Sequence, residues 1–242
     1  MKLALIGFGR FGQLIAKTLA KDFELIILDS NDNLKEKAKK LGALWGKIED
    51  LKGCKTVVLA TPISSLPKII DWIKPHLNQE SLVVDVCSVK EWPLTLMKEA
   101  LPTSVNILGT HPMFGPDSVK ENFKNHKVVL CPERISEERL KKVSDYLEGL
   151  GLNLLTKTAK DHDEEISRSL ILTHFIGRTL IHFGAEELDI ETKGYQSLLT
   201  ILKHVGNDSP QLFQDMNRYN PYAKKMRRDF TEALQQTVES IS

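Results

Sequence analysis

A histidine near the middle of the chain has the surroundings of a catalytic base. His111 lies in the sequence GTHPMFGPDS, residues 109–118, between an apolar run and a turn. Imidazole has an ordinary pKa near neutrality, so it can accept a proton from a substrate hydroxyl. Pro112 restricts the residue before it to an extended backbone, and we expect Met113 and Phe114 to pack beneath the ring. The alternative is a structural histidine, buried in a turn and satisfied by backbone groups.

A glycine-rich turn at residues 7–12 predicts a dinucleotide site. Gly7, Gly9 and Gly12 have the GxGxxG spacing after a predicted strand and at the start of a predicted helix. This spacing permits a tight turn, close approach of a pyrophosphate and close packing of helix on strand. The free N–H groups of the helix N-terminus then face the phosphates. The expected contacts are Gly7, Phe8, Gly9, Arg10, Phe11 and Gly12. The alternative is a glycine-rich turn in an α/β domain that binds no nucleotide.

An acidic residue at the end of the next predicted strand bears on the choice of cofactor. Asp29 follows the run ELIIL. A carboxylate there accepts hydrogen bonds from the adenosine ribose hydroxyls and repels a 2′-phosphate, so NAD is favoured over NADP. The alternative is that Asp29 only forms a turn with Ser30 and Asn31.

Polar residues follow two further predicted strands. Thr61, with Pro62 after it, follows TVVLA, and Ser88 and Lys90 come shortly after LVVDV. Ligands of open α/β sheets bind outside the carboxyl ends of the strands, so these residues are placed for contact with a ligand, and we expect Thr61 and Pro62 to contact the cofactor. In the alternative view Thr61 and Pro62 only end a strand, and Ser88 is the N-cap of the following helix.

These residues depend on a sheet that brings strand ends together. Short β-branched runs alternate with amphipathic segments, which favours a mainly parallel, doubly wound Rossmann-like sheet with helices on both faces. The predicted strands are 3–6, 24–28, 56–60, 82–86, 106–108 and 127–130. Beyond Asp161 such runs almost disappear and helical spacing dominates. We therefore predict an α/β domain over 1–157 and an all-helical domain over 158–242.

Composition excludes several classes of protein. The 242 residues carry 33 Lys and Arg against 32 Asp and Glu, so no strong field attracts nucleic acid or an anionic membrane. No apolar run has the length of a spanning helix or a signal-peptide core, so we expect a cytoplasmic protein. The three cysteines lack metal-like spacing, which favours reduced, buried thiols. His162 between two aspartates fits a helix start better than a metal site, and no metal is predicted.

The order of several motifs resembles one enzyme family. The motifs are GFGRFG, DVCSVK, THPMFGPDS, DHDEEISRSLILTHFIG and NDSPQLFQDM. Together they are similar to the prephenate and arogenate dehydrogenases of tyrosine biosynthesis over nearly the whole chain. The resemblance implies NAD-dependent oxidative decarboxylation of prephenate to 4-hydroxyphenylpyruvate, with arogenate as the alternative substrate. A fused chorismate mutase or regulatory domain does not fit in this chain, so we expect a minimal, monofunctional form.

The resemblance assigns roles to particular residues. His111 corresponds to the family's base, and Ser88 to a serine that hydrogen-bonds near the same substrate hydroxyl. His174 matches a histidine of the substrate pocket, although its helical spacing alone favours a core position. Arg178, one turn later, is a candidate partner for a substrate carboxylate or an ordinary solvated charge. Asp117 is a candidate partner for the ammonium of arogenate, or a turn former.

One departure from the family pattern concerns the substrate carboxylate. The family usually carries an arginine after a tyrosine, whereas this chain has Tyr195 followed by Gln196. Glutamine donates a hydrogen bond but brings no charge. Prephenate is therefore favoured only narrowly, with appreciable use of arogenate.

Apolar residues of the helical domain exceed what the α/β domain can cover, so we expect a homodimer through that domain. These residues are Leu198, Leu199, Ile201, Leu202, Leu212 and Phe213.

The sequence leaves two other functions open. One alternative is a β-hydroxyacid or imine reductase, which would not explain HPMFGP. The other is a non-catalytic, NAD-sensing dimeric domain, which needs no positioned base.

Overall fold

The computed structural model describes residues 1–119 and 122–241. The chain divides into two compact units, Met1–His162 and Asp163–Ser242. The division falls inside the helix Ala159–Ile166, a few residues beyond the predicted first domain of 1–157.

The first unit is built on one twisted sheet. Within the described residues it contains eight strands in the order β3-β2-β1-β4-β5-β6-β7-β8. The strands are β1 (Lys2–Ile6), β2 (Glu24–Leu28), β3 (Leu44–Trp45), β4 (Thr56–Leu59), β5 (Leu82–Asp85), β6 (Asn106–Pro112), β7 (Lys127–Arg134) and β8 (Asn153–Thr156). All neighbouring strands are parallel except β6 and β7. The predicted α/β fold is confirmed, and β3 and β8 are strands that the sequence analysis did not predict.

Helices connect the strands and form the second unit. They are α1 (Arg10–Asp22), α2 (Lys35–Lys40), α3 (Leu66–Ile73), α4 (Glu91–Ala100), α5 (Glu137–Gly149), α6 (Ala159–Ile166), α7 (Leu172–Phe183), α8 (Lys193–Gly206), α9 (Pro210–Tyr219) and α10 (Ala223–Glu239). Short 3-10 helices span Asp32–Leu34, Ile48–Gly53, Ile63–Ser65 and Lys74–His76, and Ser167–Ile171 is π-helical. The strands are nearly continuous apolar runs because helices cover the sheet, and Leu5, Ile27 and Leu59 are fully buried.

The strand order creates a crevice at the carboxyl ends of β1 and β4. The chain builds β2 and β3 on one side of β1 and then crosses to β4 on the other side. The connections after β1 and β4 therefore diverge, which is where ligands bind in open α/β sheets. The turns containing Gly7 and Thr61 follow these two strands.

The second unit has its own small core. Its buried apolar residues are Ile166, Ile171, Met216, Ala223 and Met226. Phe175 of α7 and Phe230 of α10 pack edge to face, with ring centroids 6.1 Å apart. A Cβ at Gly177 would lie 2.9 Å from Val205, so the glycine permits α7 and α8 to pack closely.

Candidate active site

The glycine turn has the geometry of a phosphate cradle. Gly7 has φ of +97°, and a Cβ there would lie 2.4 Å from the Ala60 carbonyl oxygen. A Cβ at Gly12 would lie 2.2 Å from the Gly7 carbonyl oxygen, so helix α1 can approach the turn only without a side chain. A Cβ at Gly9 would meet open space, and within residues 1–119 and 122–241 no side-chain hydrogen bond caps the N-terminus of α1. The N–H groups of the first helical turn thus face a space in which an anionic group fits.

The Asp29 carboxylate is tied to the glycine turn. Asp29 Oδ2 accepts a hydrogen bond from Phe8 N at 2.6 Å, and Asp29 Oδ1 accepts one from Asn31 N at 2.8 Å. Asp29 therefore forms the turn with Asn31 that the alternative view expects, and it also directly follows β2, where a contact with the ribose is expected. A carboxylate has about four lone-pair sites, so these two bonds leave capacity for ribose hydroxyls.

An ion pair links the glycine turn to the HPMFGPDS segment. Arg10 Nη2 lies 2.6 Å from Asp117 Oδ1, with both side chains partly exposed. Phe11 and Phe114 also face each other, with ring centroids 6.3 Å apart. Asp117 is thus bonded to a cation of its own chain, which reduces its attraction for a substrate ammonium.

Two buried hydroxyls at the strand ends have no hydrogen-bond partner among the described residues. They are Thr61 Oγ1 after β4 and Ser88 Oγ after β5. Helix α4 begins at Glu91 with Lys90 as its N-cap, so Ser88 does not cap this helix. A buried hydroxyl without a partner costs free energy, and a bound ligand would satisfy it. Pro62, by contrast, is exposed.

His111 lies inside strand β6 and contacts a second histidine. Its backbone pairs with Val129 of β7, so the extended conformation expected from Pro112 is present. His111 Nδ1 lies 2.8 Å from Nε2 of His162 on α6, and both rings are buried. His111 therefore contacts an imidazole, not the backbone groups expected of a structural histidine. Met113, expected beneath the ring, is exposed.

Three effects lower the pKa of the His111 imidazole well below its usual value. Burial is the largest, because removal from water disfavours the charged form, and His162 and the Lys90 ammonium act in the same direction. The neutral imidazole is therefore the resting form at neutral pH, as a general base requires.

The sequence pattern does not predict the contact of His162 with His111. The neighbouring Asp161 and Asp163 indicate only an acidic helix start. The only sequence signal of His162 is its place near the start of α6, because its contact with His111 spans 51 residues. In the described part of the chain, no three His, Cys, Asp or Glu side chains group together so as to bind a metal ion.

The second unit brings two of the predicted substrate residues together. His174 is buried, and its Nε2 lies 3.4 Å from Asp208 Oδ2. Arg178 Nη2 donates to the Asp208 carbonyl oxygen at 2.7 Å, and the guanidinium lies over the Phe213 ring. His174 Nδ1 and Arg178 Nε are buried without a hydrogen-bond partner among the described residues. Burial lowers the pKa of His174, although Asp208 opposes the shift.

In the described part of the chain, no hydrogen bond or ion pair joins Gln196 to this cluster. It lies on the exposed side of α8, and its Nε2 donates to Glu191 Oε1 at 2.9 Å. Its amide is therefore held by a neighbouring carboxylate.

An apolar cavity of about 560 Å³ lies elsewhere on the first unit. Its walls come from α1, α5 and the strands between them, and they include Thr110 and Pro112. Successive side chains of a strand point to opposite faces, so this cavity lies behind β6 on the face away from His111.

None of the helices in the described ranges has the length and apolar composition to cross a membrane.

The fold and the glycine turn define the first unit as a nucleotide-binding domain of the Rossmann class. Residues 15–156 match the family model described as "Prephenate dehydrogenase, nucleotide-binding domain". Residues 179–242 match the model of a "TYRAAT1-like, C-terminal domain". The chain belongs to the prephenate/arogenate dehydrogenase family.

Individual relatives agree with this assignment. Arogenate dehydrogenase 2 of Arabidopsis thaliana is 34% identical, covering 100% of this chain and 69% of the relative. Arogenate dehydrogenase 1 of the same plant is 32% identical, covering 97% of this chain and 38% of the relative. This chain thus spans well under half of one relative and about two thirds of the other. The crystal structure of Synechocystis arogenate dehydrogenase is 26% identical, with a TM-score of 0.76 over 100% of this chain and 92% of that chain.

Proposed function

We propose that this chain catalyses the NAD-dependent oxidative decarboxylation of a cyclohexadienol, with His111 as the catalytic base. The observation that carries the proposal is the buried His111 imidazole, held against His162 at the carboxyl end of β6. A non-catalytic nucleotide sensor has no use for such a group. Ser88 supports the same reaction, since its buried hydroxyl lacks a protein partner among the described residues.

The chemistry needs one base and one hydride acceptor. His111 takes the proton from the C4 hydroxyl of the substrate, and the C4 oxygen becomes a carbonyl as C4 gives up its hydrogen as hydride. The bond between C1 and the ring carboxylate then breaks and CO2 leaves. Its electron pair makes the ring aromatic and turns the C4 carbonyl into a phenolate, which takes the proton back from His111 to give the phenol. Ser88 is proposed to donate a hydrogen bond at the C4 oxygen and thereby orient it towards His111.

The first unit has features that fit a dinucleotide. The backbone of the glycine turn is proposed to hold the pyrophosphate, because a Cβ at Gly7 or Gly12 would close the turn. Asp29 is proposed to accept from the ribose hydroxyls, which favours NAD over NADP. Thr61 and Pro62 are proposed to line the crevice. When bound, the nicotinamide supplies the hydride acceptor.

The substrate is proposed to be prephenate, with arogenate as the second candidate. Asp117 is paired with Arg10, so its charge is less available to the ammonium that distinguishes arogenate. One observation supports arogenate instead: the relatives that are 32% and 34% identical to this chain are named arogenate dehydrogenases. His174, Arg178 and Gln196 remain proposed substrate contacts, and the unpartnered nitrogens of His174 and Arg178 support the first two.

A direct assay tests the activity. Purified chain is given prephenate or arogenate with NAD or NADP, and formation of reduced nicotinamide is followed by absorbance. We expect turnover with NAD and both substrates. Absence of turnover with all four combinations, in a chain that still binds NAD by calorimetry, would support the sensor instead.

A further inference from the structure

Lys90 is a buried lysine next to the proposed base. Its side chain has no exposure to solvent, and its ammonium forms an ion pair with the equally buried Asp85 carboxylate. Lys90 Nζ also donates a hydrogen bond to the Thr110 carbonyl oxygen at 2.7 Å. This carbonyl belongs to the peptide group that joins Thr110 to His111. The ammonium thus holds the backbone at the point where it enters the base.

A further contact holds the Asp85 segment against β6. Thr110 Oγ1 donates to the Asp85 carbonyl oxygen at 2.8 Å. This bond joins the carboxyl ends of neighbouring parallel strands, in which Asp85 lies opposite Gly109. Within the segment itself, Cys87 N donates to Asp85 Oδ1 at 3.0 Å. A Cβ at Gly109 would lie 3.2 Å from Lys90 Cδ, so the glycine leaves room for the lysine stem.

Stability alone is a weak reason for this arrangement. Removing two charges from water carries a desolvation penalty, and a well-packed apolar pair of similar volume often gives equal or greater stability. The location of the pair is more informative than its energy. Asp85, Ser88 and Lys90 follow one another at the end of β5, and the ammonium is bonded to the residue before His111.

Among the described residues, the titratable groups that act on the pKa of His111 are His162 and Lys90. His162 faces His111 from α6, while Lys90 faces it from the segment after β5 with Asp85 behind. Burial raises the pKa of the Asp85 carboxyl, and the Lys90 ammonium opposes this shift. The same ammonium acts to lower the pKa of His111.

We propose that Lys90 is a positioning residue: held by Asp85, its ammonium fixes the Thr110–His111 peptide and with it the backbone that carries the imidazole. A cation at this place also disfavours a proton on the His111 ring. The benefit to catalysis rests on the proposed function, since that reaction needs a neutral base. The electrostatic link itself does not require any substrate.

The test is an NMR titration of the His111 imidazole in the full chain with isotope-labelled histidines. The His111 signal is assigned as the one that is missing from His111→Asn. The pH at which half of the His111 imidazole is protonated is then compared between the unmutated chain, Lys90→Met and the double variant Asp85→Asn/Lys90→Met. The double variant leaves no unpaired buried charge, so the comparison can be made with it if Lys90→Met does not fold. We expect the midpoint to rise by about one pH unit in Lys90→Met, the size of shift that a nearby charge produces. The rise should be smaller but still measurable in the double variant, which also removes the opposing Asp85 charge.

Two controls separate charge from general disturbance. Lys90→Arg keeps the cation and should retain a midpoint close to that of the unmutated chain. Lys98→Met removes an exposed lysine of α4 and should leave the midpoint unchanged. An unchanged midpoint in a folded Lys90→Met or double variant would overturn the proposal.

A measurement on the unmutated chain covers the case in which neither Lys90→Met nor the double variant folds. Coupled groups sense each other's protonation, so the Lys90 Nζ resonance should shift through the His111 midpoint. A Lys90 resonance that stays constant there would also overturn the proposal. Failure of the proposed function would appear differently, as absence of turnover by the unmutated chain while the NMR link persists.

Discussion

His111 Nδ1 and His162 Nε2 lie 2.8 Å apart with both rings buried. Two neutral imidazoles can share this contact only if one nitrogen donates and the other accepts. When His111 Nδ1 carries the proton, its Nε2 keeps a lone pair and can accept the substrate proton. The pair therefore provides a way to fix the tautomer of the proposed base.

Replacing His162 should impair this base without removing it. In His162→Gln, the tautomer and the ring orientation of His111 are less well fixed, so we expect kcat to fall by about tenfold to a hundredfold, part of what a positioned base contributes. His162 acts to lower the pKa of His111, so its removal should raise that pKa. The acid limb of kcat/KM should then move to higher pH, because a larger fraction of His111 is protonated at each pH.

The control for that measurement is His182→Gln, which changes an exposed histidine of α7. Its pH profile should match that of the unmutated chain. An acid limb that stays in place or moves to lower pH in His162→Gln would show that His162 does not set the charge state of His111.

Asp29 should determine the choice between the two nicotinamide cofactors. The carboxylate is held at the glycine turn by Phe8 N, and its charge repels a 2′-phosphate. We expect kcat/KM to be higher with NAD than with NADP, and Asp29→Ser to narrow the difference. Glu36→Ser, which changes an exposed carboxylate of α2, should leave the ratio unaltered. Equal efficiency of the unmutated chain with both cofactors would contradict the assignment.

Replacing glycine by alanine should destabilise the protein at Gly12, where the backbone is closely packed, but not at Gly149, where there is open space. Gly12→Ala places a Cβ 2.2 Å from the Gly7 carbonyl oxygen, and we expect a loss of about 1–3 kcal/mol, as for overpacking. Gly149→Ala in α5 meets nothing within 4 Å and should not destabilise the protein. Thermal unfolding followed by circular dichroism compares them. Equal Tm values would show that α1 can move away from β1.

The helical unit should form a homodimer. Of the apolar residues on which this prediction is based, Leu198 is exposed but Leu199 is buried. The exposed apolar side chains also include Phe183, Leu188 and Ile190, which are 83%, 53% and 93% exposed in the isolated chain. Burial of such a surface between two copies would remove it from water. Light scattering at micromolar concentration should give the mass of two chains. The double variant Phe183→Asp/Ile190→Asp should shift the mass towards one chain, whereas Trp72→Asp on α3 should not. A monomeric unmutated chain would refute the prediction.

The sequence predicted the architecture better than the partners of individual side chains. The runs that became β1, β2, β4, β5, β6 and β7 were visible because buried parallel strands are apolar and β-branched. Strand β3 has only two residues, and β8 is largely exposed, so neither carries a strong pattern. Local rules also predicted the extended backbone at His111, since Pro112 follows it.

Contacts between distant residues could not be predicted from local patterns. The approach of His162 to His111 and the bond from Lys90 to Thr110 depend on how the segment after β5 and helix α6 pack around β6. The same is true of Asp117, whose pairing with Arg10 joins positions 107 residues apart. No periodicity or short motif encodes these distances.

The most direct test of the central claim is the turnover of His111→Asn. Asparagine retains a polar side chain of similar size but cannot accept the proton at neutral pH, so kcat should fall by about 10²–10⁴ while NAD binding by calorimetry is retained. If kcat instead stays within about threefold of the unmutated value, a far smaller loss than a positioned base would give, His111 is not the base of this reaction.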